Sequence, residues 1–448
     1  MKEEHVHHMS HARVLIIGAG IAGLSAAYDL ALAGWDVTVW EAAPQAGGLA
    51  GGFKASHWDW PLEKFYHHLF QSDHDIIHLA EEIGLGEDVF FRRPITSVWK
   101  DGTSYPFDSP LRVMLFPHLS LPDKMRMGLV IAYLRFSKQW RKFEQVTAHE
   151  WLVRTMGRRG YEVLWEPLLM GKFGDHYKEV NLAWFWARIH KRSPALGYFR
   201  GGFQHFVDTL VQRVEELGGV VHVNCPARHI RPLPERGFRV ESDGATWTGD
   251  VVISTVSPRA FANMVPDLPA SYLEKVRGLK SMGAVVMTLA LKHRMTEKDY
   301  WINLPKKEGF PFLAFVEHTN YMDRNHYGGD YIVYLGDYLD PNHPYFEMSD
   351  QELLDVFLPA LPRFNPDFTP DWITGVWVHK ARYAQPVVPV NYSRHIPDLR
   401  TPIPGLYFAS MSQVYPWDRG TNYAVEIGRR VARLVQSDWS MYPGVKRG

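Results

Sequence analysis

An α/β fold, with a parallel sheet assembled from separated stretches of chain and an α+β region inserted between them, is predicted by three observations. Val14-Leu-Ile-Ile-Gly18-Ala19-Gly20-Ile-Ala22-Gly23 runs an apolar strand into a glycine turn and a helix of small residues, and Val37-Thr-Val-Trp-Glu41 adds a second strand ending in an acid. The apolar run Asp250-Val-Val-Ile-Ser-Thr255 reads as a further buried strand, and Pro404 to Gly428 as strand, loop and helix.

The first of these has the order a dinucleotide requires. Gly18 lets the chain turn out of the strand, Gly20 removes a side chain that would block a pyrophosphate, and Gly23 lets the helix pack close to the sheet, with Ala19 and Ala22 filling the small positions between. A diphosphate then meets the unpaired amides of the helix N-terminus. Glu41 follows 18 residues after Gly23, where a carboxylate can accept hydrogen bonds from an adenosine ribose. Strand, turn, helix and acid agree on a Rossmann-type unit.

The next glycines, Gly47-Gly48 and Gly51-Gly52, give backbone that can follow a longer, flavin-bearing diphosphate. Here the chain resembles the FAD-dependent superfamily of amine oxidases, protoporphyrinogen oxidases, phytoene-type desaturases and UDP-galactopyranose mutases. Gly47 and Gly48 match its doublet, while Leu49 stands where an arginine often follows. The resemblance implies bound FAD, with Ala227 bracketing adenine and Met411, Asn422, Tyr423 and Ala424 near the flavin. It also implies an acid after the last strand, where this chain has Ser410-Met411.

On this reading a discontinuous FAD-binding domain comprises 12–95, 198–260 and 391–437, and a substrate domain 96–197 and 261–390, with tails at 1–11 and 438–448. The first insertion reads as helical. Within it Leu129, Tyr133, Phe136, Trp140 and Phe143 share one helical face, with Lys138, Arg141 and Lys142 elsewhere. Such a helix can lie on a membrane, but packing on the protein's own core is the commoner outcome.

Lys64-Phe-Tyr66-His67-His68-Leu-Phe70 resembles the histidine turn of desaturases and sugar mutases, which implies His68 beside the flavin. Lys172 and Arg382 are candidates for gripping an anionic substrate. Two features of amine oxidases are absent: Ala284 or Val285 stands in place of the flavin-facing lysine, and Gly420 in place of a cage tyrosine. The resemblance therefore favours the protoporphyrinogen-oxidase-like and desaturase-like members. It implies hydride transfer from a carbon of an apolar or cyclic small molecule to flavin N5, with reoxidation by oxygen or a quinone. Two alternatives stay open: a redox-neutral mutase acting on a nucleotide sugar, and a flavin-binding protein without turnover.

Composition narrows the field. The 49 basic and 49 acidic residues cancel, which argues against a nucleic-acid partner. A single cysteine excludes a disulfide framework, an iron–sulfur cluster and a CxxC redox pair. No metal site is expected, and the histidine-rich start reads as a flexible tail rather than a metal ligand set. No stretch reaches the length of a membrane span, so the chain reads as cytoplasmic, with peripheral membrane contact as the lesser alternative and oligomeric state open.

Overall fold

In the computed structural model, which describes residues 12–441, the predicted strand Arg13–Ile17 is the middle of a five-stranded parallel sheet. Across the sheet the order is Val220–His222, Asp36–Trp40, Arg13–Ile17, Val251–Ser254 and Leu406–Phe408. Strand alternation divides the side chains between two cores. Val14, Ile16, Val251 and Ile253 join the core beneath the helices Ile21–Leu32, Gly202–Glu216 and Thr421–Met441. Leu15, Ile17 and Val252 join the other, under the three-stranded sheet His229–Pro232, Phe238–Glu241 and Thr246–Gly249 and the helix Pro258–Met264. Cover on both faces is why these strands read as unbroken apolar runs.

A second sheet of seven strands has the order Ile373–Pro386, Ser281–Leu291, Tyr331–Leu339, Ala314–Glu317, Asp299–Asn303, Ile95–Lys100 and Thr103–Pro106. It joins the two insertions, because Ile95–Lys100 pairs in parallel with Asp299–Asn303. The first insertion therefore opens with strands rather than helices, and its helical part starts at Pro110.

Two expectations need correction here. The helix Leu121–Phe136 stops at Ser137, which is extended, and Trp140 and Phe143 belong to a separate short helix. The indole of Trp186 donates to the Ser137 carbonyl (2.8 Å) and holds the break open. Leu129, Tyr133 and Phe136 are exposed; it is Met127 and Leu134 that meet the core. The last helix also continues past 437 to Met441, because Trp439 packs edge-on against Trp35 with ring centres 5.3 Å apart. The tail expected at 1–11, and 442–448, lie outside the described residues.

Candidate active site

The glycine turn is built by close approach. A Cβ on Gly23 would lie 1.9 Å from the Gly18 carbonyl oxygen, and one on Gly428 would lie 2.2 Å from the Ala22 carbonyl, so the first and last helices and the first strand pack backbone to backbone. Gly20 is different: a Cβ there would meet only the Gly48 Cα, at 4.0 Å. The two glycines face each other across an open cradle, fixed by the Gly47 amide donating to the Ala19 carbonyl (2.9 Å). Gly47 and Gly48 have φ of +127° and +57°, which explains the doublet. Buried Gln204 ties this loop together, accepting from the Gly52 amide (2.7 Å) and donating to the Ala46 carbonyl (3.3 Å).

Glu41 is held by main chain: its two carboxylate oxygens accept from the amides of Ala19 and Ala43, both at 2.8 Å. Each oxygen keeps a second lone pair for an outside hydroxyl. The loop carrying Ala227 starts beside it, where the Cys225 amide donates to the Glu41 carbonyl (2.8 Å).

At the other end of the site the sequence reading is partly redirected. Asn422 turns away: its carbonyl oxygen accepts from the Ile76 amide (3.1 Å) and its amide group donates to Asp75 (3.2 Å), so its side chain anchors the helix His74–Glu82. Its main chain, with that of Thr421 and Tyr423, forms the first turn of the helix Thr421–Met441, where amides have no partner within the helix. Tyr423 stacks on Trp417 with ring centres 6.0 Å apart. The Met411–Gln413 turn is closed by Gln413, whose side-chain oxygen accepts from the Ser410 amide (2.7 Å), while the Ser412 hydroxyl is engaged by Tyr383 (2.8 Å).

A polar cluster has formed that local sequence did not announce. Asp418 accepts from Trp184 Nε1 (2.8 Å), Arg188 (2.6 Å) and Gln385 (3.3 Å); Arg419 donates to Gln385 (2.9 Å) and to the Tyr338 hydroxyl. Burial alone would push the Asp418 carboxyl up, but Arg188, Arg419 and Lys172 together bring it down to about 2. The Lys172 ammonium lies 4.4 Å above the Tyr338 ring, and no carboxylate within ion-pair distance of it is found among the described residues. Burial, reinforced by Arg188 and Arg419, drives it well below the ordinary lysine range.

His68 belongs to the same neighbourhood. Burial, with the nearby charges of Arg192, His67, Arg188 and Lys172, lowers it to about 3, so its ring is neutral, and its buried Nδ1 has no partner among the described residues. Burial also takes His67 down to about 4, its Nδ1 against the Phe65 carbonyl.

Arg382 stands apart. Along the strand Ile373–Pro386 the side chains of Tyr383 and Gln385 reach Ser412 and Asp418, whereas Arg382 stacks on Phe346 (4.9 Å) and pairs with Glu347 in an exposed contact. Its guanidinium is spent there, so the substrate-binding role expected for it is corrected. Period-two alternation could have flagged Tyr383 and Gln385 had the strand been recognised.

With this geometry in view, comparison with known proteins is decisive about the family. A family model described as flavin containing amine oxidoreductase matches residues 21–436. The chain belongs to that family. Mitochondrial protoporphyrinogen oxidase of Nicotiana tabacum is 30% identical over 185 residues, 39% of this chain and 35% of the relative. The match thus spans about a third of the tobacco protein's length. Flavin-containing amine oxidase A of Sus scrofa is 22% identical over 487 residues, 97% of this chain and 87% of the relative. Among solved structures, a candidate protoporphyrinogen oxidase from Exiguobacterium sp. 255-15 shares the fold, with TM-score 0.77 and 19% identity over 96% of this chain and all of that one.

This member of the flavin containing amine oxidoreductase family is an FAD-dependent oxidoreductase. Two observations fit that cofactor: the open cradle between Gly20 and Gly48, where a Cβ on Gly20 would meet nothing closer than 4.0 Å, and the buried Nδ1 of His68, without a partner among the described residues. If Glu41 holds the ribose, Glu41→Ala should weaken FAD binding about 10- to 100-fold, matching a lost hydrogen bond to a charged group of about 1.5–3 kcal/mol. Equilibrium titration of apoprotein with FAD checks this, and unchanged affinity would remove Glu41 from the site.

Proposed function

We propose that this enzyme oxidises a carbon of an anionic substrate with an apolar or cyclic body, and that the electrons pass to oxygen or a quinone. FAD, held by the cradle at Gly18, Gly20, Gly23, Gly47 and Gly48, by Glu41 and by the start of the Thr421–Met441 helix, would supply the hydride acceptor. Ala227 is assigned to the adenine end and Met411, Tyr423 and Ala424 to the flavin end. The cofactor domain is taken as 12–95, 198–260 and 391–441, and the substrate domain as the two insertions.

One observation carries the choice of substrate. Arg188 pairs with Asp418 at 2.6 Å, while Arg419 and Lys172 both lie against the neighbouring Tyr338 ring, at 5.0 and 4.4 Å, so three cations gather around one carboxylate. Two guanidiniums that cannot lose their protons already exceed that charge, and burial beside them disfavours the Lys172 ammonium. A substrate carboxylate or phosphate placed there would restore the Lys172 charge and orient the molecule. An ammonium substrate would instead meet repulsion. Neutral His68, with both ring nitrogens uncharged, can accept or donate one hydrogen bond at the reacting region without adding charge.

Anaerobic mixing of the yellow holoenzyme with porphyrinogens, polyenes, simple amines and nucleotide sugars tests this. Bleaching of the flavin absorbance by an anionic cyclic donor, and not by amines, is expected. Fast bleaching by amines would overturn the proposal, and conversion of a nucleotide sugar without net electron transfer would replace it with mutase chemistry. Lys172→Met adds a sharper check: KM for the anionic donor should rise about 10- to 100-fold, as for a lost charge-assisted contact. The melting temperature should hold or rise, because a buried cation without a partner has been removed.

A further inference from the structure

Among the described residues, just over half of the large apolar side chains left in water lie on two adjoining helices. Leu111, Leu115, Leu121, Met125, Leu129 and Phe136 all lie on the helices Pro110–Leu115 and Leu121–Phe136, with Leu129 71% and Phe136 82% exposed. On the longer helix Leu121, Met125, Leu129, Tyr133 and Phe136 recur at intervals of three or four residues and form a stripe, while Met127 and Leu134 on the opposite side are buried. Scattered exposed apolar residues are ordinary, but a contiguous stripe marks a contact surface.

The charge around the stripe says what kind. Residues 110–142 hold seven lysines and arginines against one acid, Asp123, in a chain whose total charge balances. Only Arg112 of the seven has a carboxylate partner among the described residues, Asp108 at 2.8 Å. Arg126 and Arg135 donate instead to main-chain carbonyls, of Arg154 and Thr155 and of Ile189, His190 and Arg192, and Lys138, Arg141 and Lys142 stand exposed just beyond Phe136. The surface therefore carries an apolar ridge with an uncompensated basic border.

We propose that this face seats the enzyme on a bilayer leaflet containing anionic lipid, with the helix Leu121–Phe136 lying in the interfacial plane. The apolar ridge would enter the acyl boundary and the cations would meet headgroup phosphates. A second copy of the chain is a poorer occupant, because a symmetric contact brings the same positive border against itself. No helix among the described residues is long and apolar enough to cross a membrane, so the contact is peripheral. The surface helix packs on Leu182–Lys191, which carries Trp184 and Arg188 to Asp418, so the bilayer would lie one helix from the candidate site. The proposal stands on the surface alone and holds whatever the substrate is.

Co-sedimentation of the holoenzyme with vesicles of phosphatidylcholine, and of phosphatidylcholine with phosphatidylglycerol, provides the test. Binding is expected to the anionic vesicles and to fall with added salt. Leu129→Glu and Phe136→Glu should each reduce it about tenfold or more, with flavin content unchanged because neither side chain touches the core. Lys138→Glu with Arg141→Glu should abolish the preference for phosphatidylglycerol. Failure of the wild-type enzyme to sediment with either vesicle would overturn the proposal. So would full retention in the glutamate variants, or the finding by light scattering that those variants lose a dimer or a bound acidic protein instead.

Discussion

Gly23→Ala is expected to leave the protein without flavin. The new Cβ would sit 1.9 Å from the Gly18 carbonyl oxygen and 3.1 Å from its carbonyl carbon, and both are backbone of the same turn. No rotamer change relieves a contact between two main-chain segments, so the helix Ile21–Leu32 must lift from the sheet. Overpacking of this kind costs about 1–3 kcal/mol or more, and the displacement falls on the amides that would hold the diphosphate. The flavin-to-protein absorbance ratio of the purified variant should collapse, with affinity lower by about a hundredfold. Gly20→Ala is the control: its Cβ meets nothing closer than 4.0 Å, so the apoprotein should melt as the wild type does while flavin binding still falls. If Gly20→Ala retained full flavin affinity, the cradle would not be where the diphosphate lies.

Asp418→Asn is expected to be the most destabilising single change in the candidate site. It removes the charge that Arg188 pairs with at 2.6 Å and weakens the acceptor of Trp184 Nε1. Removing one partner of a buried ion pair typically costs about 3–5 kcal/mol. The pH dependence has a defined sign. Asp418 is held at about 2 in the folded protein, below the range of an unfolded aspartate, so its contribution is complete above about pH 4 and is lost as the pH falls toward 2. The difference in melting temperature between wild type and Asp418→Asn should therefore be constant from pH 5 to 8, on the order of several degrees, and narrow under more acidic conditions. A difference that is absent at neutral pH would mean that the cluster is not a working ion network.

Both variants bear on how far the chain could be read before it folded. Gly18, Gly20, Gly23 and Glu41 were legible because their task is set by neighbours a few residues away and by backbone that only glycine allows. Gly47-Gly48 was legible for the same reason, and the positive φ of both residues supplies the cause. Gln204 was not, since nothing around it in sequence says that its amide will reach Gly52 and Ala46. Asn422 was placed on the right helix, but its side chain serves the start of another one. Arg382 was taken for a ligand because it is a cation in the right segment, and strand register then turned it to the far face.

By itself, the sequence determined the nucleotide turn, the parallel strands and the α/β class, because each depends on short-range pattern and steric permission. The tertiary structure built the polar cluster around one carboxylate, gathering Trp184, Arg188, Gln385, Asp418 and Arg419 from three separated stretches. It also decided which way the apolar stripe of Leu121–Phe136 faces. Periodicity shows that a helix has two faces, but only packing against neighbours fixes which of them remains in water.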